Sequence, residues 1–163
     1  NSCYFDGEKV VKNIPALGYV LGDEGSGAYI GKELLKGYLN NEMDAAVLQK
    51  FEMKFKPSLE GILDRVYKEA LPNRYFASFA KWVGEEVESE KYLQEIVRKA
   101  FDAFFKKHIC KYENHSKLPL NVVGSIGYHF MHLLHQVAEK NNVKLGKVIK
   151  SPISGLVKHH MDN

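Results

Sequence analysis

The sequence is poor in cysteine and has no long apolar run, and each absence excludes something. Its two cysteines, Cys3 and Cys110, stand far apart and form no CxxC pair, so neither a zinc knuckle nor a disulfide framework is expected, and a reducing, cytoplasmic setting fits. No stretch approaches the roughly 20 apolar residues of a membrane-spanning helix. No basic-then-apolar leader stands at the start, and no membrane partner is expected. Neither charge sign is in excess: 23 Lys and Arg against 20 Asp and Glu leave a formal charge of +3, with the signs interspersed along most of the chain. A polyanion binder gathers its positive charge on one face. The densest basic clusters here, Arg98-Lys99 and Lys106-Lys107, belong to an amphipathic helical pattern whose solvated face accounts for them, so no nucleic-acid partner is expected. Repeats and low-complexity segments are absent, as is a methionine at the start. The chain opens at Asn1 and runs straight into strand-like residues, which suggests an upstream element.

What is present suits a folded domain. The 163 residues are 45% hydrophobic and 12% aromatic, enough to bury a core in a single compact domain. Residues 2–5, the turn dipeptide Asp6-Gly7 and residues 8–11 read as a β-hairpin. A third extended piece is expected over 14–21, broken by Pro15 and Gly18. After the glycine-rich stretch 22–27, Ile30, Leu34, Leu35, Tyr38 and Leu39 recur at helical spacing. The middle is helical. Ser58 caps a helix over 59–70, and Pro72 opens another that carries Phe76, Phe79, Trp82 and Val83. The longest helix is expected over 89–110, its buried stripe formed by Leu93, Val97, Ala100, Phe101, Phe104 and His108. Residues 118–123 read as a buried strand, 126–139 as a helix with Phe130, Leu133, Leu134 and Val137 inward, and 143–149 as another strand. Ser151-Pro152 starts a short last helix. This order predicts an α/β fold, helices packed on a mixed sheet.

Three places could carry chemistry. In Gly22-Asp23-Glu24-Gly25-Ser26-Gly27, glycines allow close backbone approach, and paired carboxylates can accept hydrogen bonds from sugar hydroxyls or amides or orient a metal-bound water; acidic residues and serine also serve simply as helix caps. At Val122-Val123-Gly124-Ser125-Ile126-Gly127 a strand gives way to a helix, where backbone N–H groups can meet phosphate. An ordinary connection uses the same residues, and the P-loop spacing is absent. His129, His132 and His135 follow each other at spacings of three, but they diverge around a helix and lack the convergent geometry of zinc ligands; with His159 and His160 they read as polar rims, and no metal site is assigned.

The stretch Leu21-Gly22-Asp23-Glu24-Gly25-Ser26-Gly27-Ala28-Tyr29-Ile30-Gly31 closely resembles the signature of the BadF/BadG/BcrA/BcrD-type ATPases and N-acetylglucosamine kinases, within the actin, Hsp70 and sugar-kinase superfamily. Asn1-Ser2 resembles the tail of that family's GTGSN loop, Ala77-Ser78-Phe79-Ala80 its adenosine-side helix and Val123-Gly124-Ser125-Ile126 its second nucleotide turn, all in family order. The resemblance implies that residues 1–163 form a carboxy-terminal, ribonuclease-H-like (actin-like ATPase) domain lacking its first strand and the amino-terminal domain, which would be its partner. It implies ATP-dependent phosphorylation of a sugar hydroxyl, with ATP and Mg2+ as cofactors and an amino sugar such as N-acetylglucosamine as acceptor; a homodimer is compatible with it. Asn1, Gly18 and Asp23 would contact the sugar, and Ser78, Gly124 and Ser125 the nucleotide. No catalytic residue would lie in this chain, since the family's proton-accepting aspartate belongs to the amino-terminal domain. The family's N-acetylglucosamine kinases often carry Gly-Trp-Gly-His before the acidic turn. This sequence has Ala16-Leu17-Gly18-Tyr19, so Leu17 replaces the aromatic platform. Two other activities fit the same superfamily and fold: an activator ATPase that energises electron transfer through a cysteine-held iron-sulfur cluster, and a non-enzymatic sugar or nucleotide sensor.

Overall fold

Hydrogen bonding at Asp6 shapes the first hairpin. Its carboxylate accepts the backbone N–H groups of Glu8 and Lys9 at 2.9 and 2.8 Å, and Gly7 turns the chain at φ +111°. These bonds, that from Lys9 foremost, hold the Asp6 carboxyl below the usual carboxylate range. Strand β1 (Ser2–Phe5) pairs antiparallel with β2 (Val10–Ile14), Ser2 facing Ile14 and Phe5 facing Val10. The second strand begins later than the sequence suggests because the turn occupies residues 6–9, closed by Asp6 N–H donating to the Lys9 carbonyl at 3.2 Å. The computed structural model describes residues 1–161, apart from the side chain of Ser154.

The extended piece expected over 14–21 is not there. Pro15 lacks the N–H that would continue the ladder, and Gly18 takes φ +72°. The chain reverses into one helical turn, α1 (Gly18–Leu21). From here to Ala100 it forms one of two compact units; the other comprises Asn1–Pro15 and the chain from Phe101 onward.

The unit Ala16–Ala100 is helical. Its α2 (Gly27–Leu39) buries Ile30, Leu34 and Leu35, whereas Leu39 stays on the surface. The next helix, α3 (Ala45–Phe55), has no side-chain cap at Asp44. In α4 (Leu59–Tyr67) the Ser58 hydroxyl accepts the Gly61 N–H at 3.1 Å, and Pro72 opens α5 (Pro72–Glu86), as the sequence predicts. Phe51 is fully buried, its ring 5.1 Å from Tyr38, 5.0 Å from Phe55, 5.9 Å from Phe79 and 5.5 Å from Trp82. Helices α2 and α5 cross closely: a Cβ on Gly31 would overlap the Phe76 carbonyl.

The division between the units falls inside α6 (Lys91–Lys107). Leu93, Val97, Ala100 and Phe101 are buried as expected, but Phe105 is fully buried in place of Phe104. Burial follows the i, i+4 ladder 93–97–101–105, and Phe104 stacks on His108 at 5.3 Å. After a 3-10 turn, Ile109–Lys111, the Tyr112 hydroxyl lies 3.0 Å from Ser2 Oγ and accepts the Ile14 N–H at 3.1 Å, tying this segment to the hairpin.

Strand β3 (Leu120–Val123) pairs parallel with β4 (Leu145–Ile149), Val123 beside Ile149. The sequence suggests a buried strand over 118–123. Instead Leu118 is 38% and Val123 56% exposed, and burial alternates along β3. The single helix expected over 126–139 is two, α7 (Ser125–His129) and α8 (Met131–Lys140), broken at Phe130. Phe130, Leu133, Leu134 and Val137 are nonetheless all buried. The last described element is α9 (Ile153–Met161). The fold is α/β, with helices around small sheets. Where one mixed sheet was expected, the described strands form two separate two-stranded sheets, β1-β2 antiparallel and β3-β4 parallel.

Candidate functional site

The acidic turn between α1 and α2 is built by its backbone. The Gly22 N–H donates to the Gly18 carbonyl at 2.8 Å, closing α1, and the Ser26 N–H donates to the Asp23 carbonyl at 3.0 Å. Between them Asp23 and Gly25 adopt left-handed conformations, φ +68° and +75°. Glycine takes this region freely and aspartate more readily than most residues. Ser26 is the cap of α2, its side chain accepting the Tyr29 N–H at 3.1 Å. Ser26 alone supplies the side-chain cap of α2. Asp23 stands outside the cap and is partly exposed. Lys32 donates to the Tyr19 carbonyl at 3.2 Å and so ties α1 to the first turns of α2. Leu17, where an aromatic platform would stand, is 59% exposed.

The second turn lies between β3 and α7. Gly124 takes φ +138°, and nothing comes within 4 Å of the place a Cβ would occupy. Its N–H donates to the Ile149 carbonyl at 2.9 Å, so the parallel pair fixes the turn. Ser125 follows as the exposed first residue of α7. A Cβ on Gly127 would come 2.6 Å from Val122 Cγ1, so that glycine lets α7 sit down on β3. The backbone of Gly124 is thus uncovered.

Gly18 opens α1 and Asp23 lies in the turn after that helix, whereas Gly124 and Ser125 adjoin at the β3–α7 turn. Ser78 is exposed on α5, its hydroxyl donating to the Tyr75 carbonyl at 2.7 Å. Asn1 is exposed ahead of β1. Gly18, Asp23 and Ser78 belong to the Ala16–Ala100 unit, and Asn1, Gly124 and Ser125 to the other. Glu24 is buried at 8% exposure beside Asp23, which pattern reading missed; its neighbours Gly22 and Gly25 were the only signal. His129, His132 and His135 are exposed, and among the described residues no group of three or more His, Cys, Asp or Glu is arranged to hold a metal ion. Cys3 and Cys110 are free thiols, and burial raises the Cys110 pKa. Among the described residues no helix is long and apolar enough to cross a membrane.

No protein-family profile matches the chain, and no curated protein does. Among solved structures, it is similar to the crystal structure of a provisionally assigned N-acetylglucosamine kinase from Porphyromonas gingivalis, at 32% identity and a TM-score of 0.91. The match covers 99% of this chain and 56% of that one. The chain therefore spans little more than half the length of that neighbour.

Proposed function

Because the chain belongs to the N-acetylglucosamine kinase family represented by this neighbour, we propose that it is the carboxy-terminal, ribonuclease-H-like domain of an ATP-dependent kinase that phosphorylates an amino-sugar hydroxyl. The observation that carries the reading is the acidic turn. In a chain aligned over 99% of its length with such a protein, Asp23 stands at a left-handed apex relieved of capping duty by Ser26.

In this reading Asp23 accepts hydrogen bonds from the sugar's hydroxyl or acetamido groups, with Gly18 of the same unit contributing backbone to that ligand. A carboxylate suits that work because it only accepts, and its bonds to hydroxyl donors are charge-assisted. Gly124 offers bare backbone to the nucleotide and Ser125 a hydroxyl. The left-handed Gly124 supports this placement, since a side chain there would occupy the space the ligand needs. Phosphoryl transfer asks the protein mainly for positioning and charge neutralisation. Magnesium supplies part of that neutralisation when it is bound with ATP. It commonly keeps its waters and relies on substrate phosphates, and the described residues offer no cage of three or more ligands for it, so no residue here is assigned to it. The proton-accepting aspartate belongs to the amino-terminal domain, and this chain positions the acceptor and the nucleotide.

The test supplies the full-length protein with γ-labelled ATP and a panel of amino and neutral sugars. Label transferred to an amino sugar is the expected result. Nucleotide binding without transfer to any sugar would favour a sensor, and hydrolysis indifferent to sugar an activator ATPase. The 163-residue chain alone should show no turnover.

A further inference from the structure

Glu24 and His108 are the buried polar or charged side chains of the described core, and the proposed chemistry uses neither. Burying a carboxylate is costly unless the fold gives it a task and partners. Glu24 is 8% exposed, and its side chain folds back along the chain. Its Oε2 lies 3.3 Å from the point where a Cβ on Gly22 would stand, and Leu17 Cβ lies 3.1 Å from the same point. Gly22, itself buried, therefore leaves the room into which the carboxylate fits. The carboxylate of Glu24 thus returns to Gly22, and the one residue between them, Asp23, takes φ +68° and is partly exposed. From the other side Lys32 holds the Tyr19 carbonyl at 3.2 Å, so the far end of the turn is fixed as well. The start of α2, with its partial positive charge, lies three residues beyond Glu24 and favours an anion there.

We propose that Glu24 is the positioning residue of the acidic turn: its buried carboxylate, folded against Gly22, holds Asp23 at the apex from which it meets the ligand. The consequence for sugar binding rests on the kinase reading; the mechanical role does not. Displacing a positioned group by about 1 Å costs on the order of a hundredfold in rate, so loss of the anchor should act on the acceptor sugar and spare the nucleotide.

Amide hydrogen exchange on the full-length protein, wild type against Glu24→Ala, Glu24→Gln and Gly22→Ala, tests the mechanical role. Exchange at the Gly22 and Ser26 amides, which bond to Gly18 and Asp23, should rise about tenfold or more in Glu24→Ala, and at least as much in Gly22→Ala, whose Cβ would crowd Leu17 as well as the carboxylate. The rise should be smaller in Glu24→Gln, which keeps shape and one acceptor, and the amides of β3 should not change. Unchanged exchange at Gly22 and Ser26 overturns the proposal. Steady-state kinetics give the second readout: sugar KM should rise roughly tenfold in Glu24→Ala with ATP KM within about twofold, and Glu24→Gln should recover most of the loss. Equal changes in both KM values would mean general loosening and would also overturn it. If the wild type phosphorylates no amino sugar, the kinase reading fails alone, and the exchange comparison still decides the role of Glu24. Should Glu24→Ala fail to fold, Glu24→Gln carries the comparison, and unchanged exchange in it at both amides would overturn the proposal.

Discussion

Gly31→Ala probes the crossing of α2 and α5. Gly31 sits in the first half of α2, and a Cβ there would overlap the main-chain carbonyl of Phe76 in α5. On propensity alone the change should help, since alanine in a helix interior is favoured over glycine by about 1 kcal/mol. Against this stands a clash with backbone, which cannot swing aside as a side-chain tip can. Overpacking costs about 1–3 kcal/mol, and a rigid carbonyl belongs at the upper end. The net is a loss of about 2 kcal/mol, which for a chain of this size lowers Tm by roughly 4–8 °C. Gly37→Ala is the internal control. Its Cβ would meet the hydroxyl end of Tyr92, a ring that can move, so its loss of Tm should be clearly smaller. Thermal unfolding followed by circular dichroism reads both. A Gly31→Ala protein as stable as wild type, or one no worse than Gly37→Ala, would refute the argument that α2 and α5 meet backbone to backbone.

Phe51→Ala should cost about 3–5 kcal/mol, because the ring is fully buried among Tyr38, Phe55, Phe79 and Trp82; urea unfolding measures it. Gly124→Ala forces an L-residue into φ +138°, a strain of about 1–3 kcal/mol, and should raise ATP KM while leaving sugar KM unchanged in steady-state kinetics. The Asp102 carboxyl is held below its usual range by Lys106 first and then by Asn141. A lowered folded pKa means that its contribution is present above the unfolded value and is lost as pH falls through the folded one. Asp102→Asn should therefore flatten part of the acid-side fall in stability and leave the alkaline side unaltered, as Tm measured across pH would show.

What could be read from the sequence was what local chemistry dictates. Asp6-Gly7 announced the hairpin, Ser58 and Pro72 their helices, and the spacing of Phe130, Leu133, Leu134 and Val137 their buried face, because each rests on a cap, a turn or a periodicity within a few residues. Tertiary context decided the rest. No local signal told that Gly18 would turn residues 18–21 into a helix, or that the chain would break between α7 and α8 at a buried Phe130. The shift of burial from Phe104 to Phe105 reflects the partner surface, which one helix cannot specify. In the acidic turn, three carriers of polar oxygen side by side, Asp23, Glu24 and Ser26, looked equivalent. Only the folded chain separates them into an outward carboxylate, a buried one and a cap.

The most direct test of the account is the rate at which the full-length protein transfers phosphate from ATP to N-acetylglucosamine, wild type against Asp23→Asn. Transfer by the wild type is expected, with a fall in kcat/KM for the sugar of about tenfold in Asp23→Asn, which keeps one acceptor but loses the charge that strengthens its bond by about 1.5 kcal/mol, and with ATP KM little changed. Transfer undiminished in Asp23→Asn would contradict the placement of the sugar at the acidic turn, and a wild type that transfers phosphate to no amino sugar would contradict the kinase assignment itself.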